Sequence, residues 1–295
     1  MTFYNILLVM RLTHNIASQH KINQLKKHYE NFTVGSLVLG KDMKEAITVL
    51  YAFARLGDDI ADEGNKSKKD RLKEIEYLKY HLKRIEFNQK IHDPYFKILN
   101  QIYYKYNFKI NNLYRFIKAF NKDINHKQYP RFNDLINYCK DAANPAGELI
   151  LSLAKKDSKE NIRQSNAICT SLALINFAQG VVEDYEKGRI YFPKDEMKKF
   201  NLNVTDIEKR NFSVEWVRYK KYWVHRNYQI LKKGLGLGKK IKGRLGVEIQ
   251  MIEYAAILLL KRMKKSDCNL FTNPPKITKL DWILIFFKST LLQLL

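Results

Sequence analysis

The chain is poor in cysteine. Its three cysteines, Cys139, Cys169 and Cys268, are scattered through 295 residues. An odd, dispersed set offers neither a disulfide framework nor a metal-binding spacing, and it favours a reducing compartment. Proline and glycine are scarce too, six and twelve, so little interrupts long helices. Acidic residues are outnumbered 30 to 53 by basic ones, for a formal net charge of +23. That surplus would attract nucleic acid, an anionic membrane surface or an anionic substrate. No nucleic-acid motif accompanies it, and lysine, asparagine and isoleucine are abundant everywhere, so compositional bias explains it equally well. No nucleic-acid partner is expected. No run reaches the roughly 18–20 uninterrupted apolar residues of a spanning helix. The opening MTFYNILLVMRL lacks a basic start and a small-residue cleavage site, and does not read as a signal peptide. With no sustained period-two alternation and no repeat, the expected fold is all-α, one domain of roughly ten helices.

Residues 1–30 read as a polar, basic, partly helical lead-in. Asp42 and Glu45 form a capping-box pattern, so a helix is expected from about Asp42 to Glu63, stopped by Gly64. Ser67 opens a charged helix to about Glu86, its buried side carrying Leu72, Ile75, Leu78, Tyr80 and Leu82. Helices follow near Pro94–Tyr106 and Asn111–Ile124. Phe132 to Lys156 is helical with a break at Asn144-Pro145, since proline removes a donor and disfavours helix just before it. One long helix is expected from about Asn161 to Glu186. RIYFP (189–193) then reads as an exposed loop. Helices near Ser213–Lys233 and Lys239–Met263 flank GLGLG (234–238), a connector without the strand-then-helix context of a nucleotide loop. The apolar end, DWILIFFKSTLLQLL, is either a core helix or one lying on a membrane surface.

The chemistry sits in YAFARLGDDIADEG (51–64). Asp58 and Asp62 are four apart, which on a helix puts both carboxylates on one face. Like charges at that spacing repel. Either they are a solvated acidic helix end, or they face a cavity and hold Mg²⁺, which takes oxygen ligands and shares them with phosphates. A second stripe, Asn176, Gly180 and Asp184, recurs at the same step in NFAQGVVEDYEKGRIYFP. Two of its three residues are oxygen ligands, and Glu183 adjoins Asp184 about 100° around the helix. Two such helices facing each other could hold several Mg²⁺ ions that make a diphosphate a good leaving group.

These stretches resemble the squalene/phytoene synthase family, head-to-head prenyl synthases. The matching segments are HYENFTVGS (28–36), LYAFARLGDDIADEG (50–64), YCKDAANPAGELIL (138–151), SNAICTSLALINFAQGVVEDYEKGRIYFP (165–193) and, more weakly, GVEIQMIEYAAILL (246–259). They keep the family's order over about residues 25–265, and the ANPxG and KGRxYxP variants point to its hydroxysqualene branch. The resemblance implies an isoprenoid-synthase-type helical bundle around a central cavity: a lead-in at 1–24, a catalytic domain at 25–278 and an apolar C-terminal helix at 279–295.

It also implies roles. Asp58, Asp59, Asp62, Asn176, Glu183 and Asp184 would serve two or three Mg²⁺ ions. Arg55, Lys187 and Arg189 would contact diphosphate, Asn31 would lie beside a phosphate-contacting position, and Phe32 would sit near the substrate entrance. Tyr51, Tyr138 and Tyr191 would line the pocket, where aromatic faces stabilise a carbocation in a dry site. The implied substrate is presqualene diphosphate, ionised and captured by water, or farnesyl diphosphate or a longer relative in a condensing synthase. The expected place is the cytoplasm, peripheral on the inner membrane face, where the basic surface would meet anionic lipid with help from the apolar C-terminal segment, beside a neighbouring synthase. Two departures stand out. Gly180 occupies a position where the family usually has Asp, so one metal ligand is missing and catalysis could be impaired. Glu148 stands where Arg is expected.

Overall fold

The structure, a computed structural model, describes residues 40–265 and 267–294. It is all-α, as expected, with fourteen helices and no strand among the described residues. The segments 1–24 and 28–36, and with them Asn31 and Phe32, lie outside the described residues.

The N-terminal half holds α1 (Lys41–Asp62), α2 (Lys68–Glu86), α3 (Pro94–Tyr106) and α4 (Asn111–Ile124). Their apolar stripes close one core around Val49, Phe53, Ile75, Leu82, Phe96 and Leu113. α1 touches α4 closely because of Gly57. A Cβ there would lie 2.0 Å from the Phe120 ring, so only glycine lets the acidic end of α1 sit against α4. The capping box does not form. α1 starts at Lys41 with Gly40 as its N-cap and no side-chain cap. Asp42 is thus inside the first turn, its carboxylate 3.3 Å from the Lys105 ammonium. The α2 start is as expected, the Ser67 hydroxyl accepting from the Asp70 amide at 3.2 Å. Tyr80, however, is about half exposed rather than buried, because its phenol turns outward to accept from Arg84.

The second half holds α5 (Phe132–Ala142), α6 (Asn144–Leu153), α7 (Lys159–Gln179), α8 (Val181–Glu186), α9 (Lys194–Lys199), α10 (Val204–Glu208), α11 (Val214–Lys232), α12 (Leu237–Lys240), α13 (Arg244–Lys264) and α14 (Lys279–Leu294). α7 packs on α6, α11 and α13, and α14 packs on α13. A second core forms around Leu174, Phe192, Trp216, Tyr219, Trp223 and Leu260. The break at Pro145 falls where the sequence placed it.

Four short pieces exceed the expected ten helices. α9 and α10 lie between the RIYFP loop and the helix expected at Ser213, where no helix was expected, α12 begins within the GLGLG connector, and the expected long helix divides at Gly180 into α7 and α8. The latter break falls at Gly180, whose backbone leaves the helical region at φ −94° and ψ 10°. α13 begins at Arg244 rather than near Lys239 because Gly243, at φ 85°, turns the chain first. GLGLG is a connector as expected. Its amides at Gly236 and Gly238 donate to the buried Glu253 carboxylate at 3.3 and 3.1 Å.

Candidate active site

On α1, Tyr51, Arg55, Asp58 and Asp62 recur at four, three and four residues, one continuous stripe of a helix. Arg55 holds the first two carboxylates of the motif: its guanidinium reaches Asp58 at 2.8 Å and Asp59 at 2.6 Å. Asp62 is held from across the molecule. Arg189 donates from both terminal nitrogens to its two oxygens, the Nη2–Oδ2 bond measuring 2.7 Å. Lys187 lies 3.5 Å from Glu63 and 3.9 Å from Asp62.

Local sequence puts Arg189 there. Gly188, at φ 74°, ends α8 in the left-handed conformation. Its amide donates to Tyr185 O and the Arg189 amide to Asp184 O, both at 2.8 Å, a Schellman termination that reverses the chain. Arg189 therefore emerges beside Asp184, with Nη2 at 3.8 Å from its carboxylate, and bridges the two acidic motifs. The following residues are pinned by Ile190 N donating to His126 Nε2 at 3.2 Å and Lys194 N donating to Tyr129 O at 2.9 Å. RIYFP is consequently buried rather than exposed: Arg189, Tyr191 and Phe192 are each less than a tenth exposed.

Asn176 and Asp184 keep their register despite the helix break. Gly180 N donates to Asn176 O and Asp184 N to Gly180 O, both at 2.8 Å. A Cβ on Gly180 would lie 3.5 Å from Asp184 Oδ2, so position 180 does stand between the two, as the stripe requires. Gly180 is a junction residue at φ −94°, not a helix-interior glycine, and any side chain can adopt that backbone. Glu183 sits on α8, exposed, next to Asp184. Tyr51 is half-buried on α1. Tyr138 and Tyr191 meet with ring centroids 5.8 Å apart, and Tyr191 stacks on Phe177 at 4.0 Å. Glu148 has a structural partner: its carboxylate lies 2.8 Å from Arg115, an ion pair between α6 and α4.

The sequence reading missed Asp123. It lies near the end of α4, three residues after Phe120 and seven after Phe116 on the buried face. An acid on an apolar stripe was the signal that could have found it. Tyr138 donates a hydrogen bond to it, while Asp123 Oδ1 is buried without a partner. Burial, reinforced by the charges of Asp62 and Asp58, pushes its carboxyl up to about 7 against the Tyr138 bond and the Arg189 charge. His126, Tyr129 and Phe177 were also missed. With Tyr138 and Tyr191 they form an aromatic box, Tyr129 lying 5.4 Å from Tyr138 and His126 5.3 Å from Tyr191. Burial and the Arg189 charge lower the His126 pKa, outweighing its bond from Ile190.

Asp58 is pushed up to about 6 by the crowding of the chain around it and by Asp62, with Arg55 opposing. About half of its side chain remains open to solvent. Asp184 also rises to about 6, chiefly through burial, with Arg189 opposing and Asp62 adding to the rise. Among the described residues no three acidic, histidine or cysteine side chains converge as a metal cage. The donor chemistry still suits a hard divalent cation. Asp58, Asp62, Asp123 and Asp184 repel one another electrostatically, the set is all oxygen, and one buried oxygen is unpartnered.

The fold and this acidic, arginine-bridged site define a prenyl-diphosphate-type synthase, and the comparisons agree. Residues 25–281 match the squalene/phytoene synthase family, and the chain belongs to that family. It is 29% identical over 263 residues to the hydroxysqualene synthase of Zymomonas mobilis, spanning 86% of this chain and 87% of that one. It is 25% identical over 255 residues to the hydroxysqualene synthase of Rhodopseudomonas palustris, spanning 85% and 86%. Among solved structures it resembles the squalene synthase HpnC of Alicyclobacillus acidocaldarius, with a TM-score of 0.77 and 25% identity over 93% of this chain and 97% of that one. A ligand-bound dehydrosqualene synthase shares the fold, with a TM-score of 0.80 at 18% identity over 98% of each chain.

Proposed function

We propose that the protein ionises presqualene diphosphate and that water captures the rearranged cation, giving hydroxysqualene and pyrophosphate. The observation that carries this is Arg189, which joins Asp62 of the first acidic motif to Asp184 of the second directly beside the aromatic box. One wall recognises a diphosphate and the next suits a cation.

Asp58, Asp62, Asp123, Asn176 and Asp184 would hold Mg²⁺, with Asp59 and Glu183 at the edge of the set. The ion supplies Lewis-acid neutralisation of the leaving group. Arg55, Lys187 and Arg189 contact the diphosphate by charge-assisted hydrogen bonds and hold the product pyrophosphate after the carbon–oxygen bond breaks. Phe177, Tyr138 and Tyr191 present ring faces to the carbocation. Water adds to the cation through its oxygen lone pair and then loses one proton, so substrate plus water balances alcohol plus pyrophosphate. His126 spends Nε2 on the Ile190 amide, so its Nδ1 carries the hydrogen, and the raised carboxyl of Asp123 is the proton acceptor beside that box. Two relatives that carry the name hydroxysqualene synthase support this branch.

A second reading, condensation of two farnesyl or longer diphosphates, is favoured by 26% identity over 174 residues to a phytoene synthase of Mycobacterium bovis. Lipid product analysis decides between them. Presqualene diphosphate with Mg²⁺ should yield hydroxysqualene, and farnesyl diphosphate alone should yield nothing. No consumption of presqualene diphosphate under any metal condition rejects the proposal. If no allylic diphosphate reacts either, Gly180 marks a binding protein that has lost catalysis. No helix among the described residues is long and apolar enough to cross a membrane. A peripheral place on an anionic membrane, beside the synthase that supplies the substrate, suits a water-insoluble product.

A further inference from the structure

α14 presents two opposite faces. Ile285 and Ser289 are buried and Trp282 partly so, packing on Val247, Met251 and Ala255 of α13. On the other side Leu280, Ile283, Leu284, Phe287 and Leu291 are exposed by 72, 51, 69, 65 and 60%. At about 100° per residue these five fall within roughly 100° of arc, a single apolar stripe on a helix about 24 Å long.

The surroundings of the stripe are basic. Lys279 and Lys288 flank it on either side and are exposed. Lys288 leans over the Tyr254 ring at 4.3 Å. At the helix's N-terminal end lie the exposed Lys261, Lys264 and Lys265 of the α13 terminus, together with Lys276. At its other end the Gln293 side chain bonds Gly238 O at 2.6 Å and accepts from Gly243 N at 3.2 Å. That places the exposed Lys239 and Lys240 of α12, Lys242, and Arg244 at the α13 start beside it. The only acid on α14, Asp281, is neutralised by Arg262, whose two amino groups lie 2.7 and 2.8 Å from its oxygens.

From this juxtaposition we infer that α14 is an in-plane membrane-docking helix for an anionic bilayer, its Leu280–Leu291 stripe entering the acyl boundary and the surrounding lysines meeting lipid phosphates. The chemistry is the one interfacial helices use: apolar burial for strength, positive flanks for selectivity towards anionic lipid. It does not depend on which diphosphate the site turns over. The packed face keeps α14 attached to the body, so docking brings the enzyme to the bilayer without a spanning segment.

The test is sedimentation of the full chain with vesicles of phosphatidylcholine alone and of phosphatidylcholine with phosphatidylglycerol, at low and high salt. The expected result is binding to the anionic vesicles only, weakening as salt rises. L284S/F287S alters two side chains that are each about two-thirds exposed, so melting temperature and turnover of detergent-dispersed substrate should stay unchanged. Partition should fall about tenfold or more. The charge variant K279E/K288E should abolish the preference for anionic lipid. Failure of the wild type to bind either vesicle, or equal binding by L284S/F287S, overturns the inference. So does a concentration-dependent dimer that the same variant dissociates while vesicle binding is absent, because a second copy would then be the occupant.

Discussion

Arg189 carries two loads in this fold. It neutralises Asp62 within the protein, and it is one of the cations expected to grip a diphosphate. Around it, three carboxyls are held above their ordinary range, Asp58 and Asp184 to about 6 and Asp123 to about 7. A carboxyl raised on folding contributes stability that is complete below its unfolded value, near 4, and is lost as pH rises through its folded value. The metal-free protein should therefore melt higher at pH 5.5 than at pH 7.5. Asp123→Asn should raise the melting temperature at pH 7.5 by a few degrees, on the scale of about 2–4 °C per kcal/mol, and flatten that slope, as differential scanning calorimetry would show. A steeper slope in the variant would contradict the assignment.

Gly180 is the other residue-scale question. A Cβ there meets Asn176 O at 3.3 Å and Asp184 Oδ2 at 3.5 Å, an approach that needs only a small shift. Gly180→Asp should fold, and it adds the oxygen ligand the stripe lacks. Its half-saturating Mg²⁺ in the lipid assay should drop by about tenfold. A wild type whose metal requirement already equals that of the variant would show that the existing ligands suffice without Gly180's replacement.

At the scale of elements, the site is assembled by helix ends. The α8 termination at Gly188 aims Arg189, and the close packing of Gly57 on Phe120 brings α1 to α4. Gly188→Ala must adopt φ 74° with a Cβ, a strain of about 1 kcal/mol. Because the turn also directs Arg189, the predicted loss of activity exceeds the loss of stability. Comparing kcat/KM with the melting curve checks this, and a proportionate fall in both would argue against a positioning role. Most helices were legible because their signals are local: Ser67 as a cap, Pro145 as a break, Gly64 as a stop. The division at Gly180 and the short α9, α10 and α12 were not. The α9 start, for one, depends on tertiary partners, Tyr129 O and Pro130 O, which accept the Lys194 and Asp195 amides.

At the scale of the whole molecule, the acidic cluster is a small negative island in a chain of net charge +23. A cation bound with pyrophosphate should relieve the repulsion inside it. Binding only to the folded state stabilises by about 2.7 kcal/mol at a hundredfold excess over Kd. Mg²⁺ and pyrophosphate together should thus raise the melting temperature, and Asp62→Asn should remove most of that rise. An equal rise from pyrophosphate alone would assign the effect to the arginines and lysines.

That Asp58 and Asp62 share one helix face, and Asn176 and Asp184 another, was readable from spacing alone, because helical periodicity is a local property that places residues four apart on one face. The same holds for the all-α class and for the motifs shared with the squalene/phytoene synthases. Only the tertiary structure decided that Arg189 bridges the two motifs, that Asp123 joins them, that RIYFP is buried, and that α14 packs one face and exposes the other. Those facts rest on which helix ends meet across the bundle, and contacts between residues as far apart in sequence as Asp62 and Arg189 leave no periodic trace in the chain.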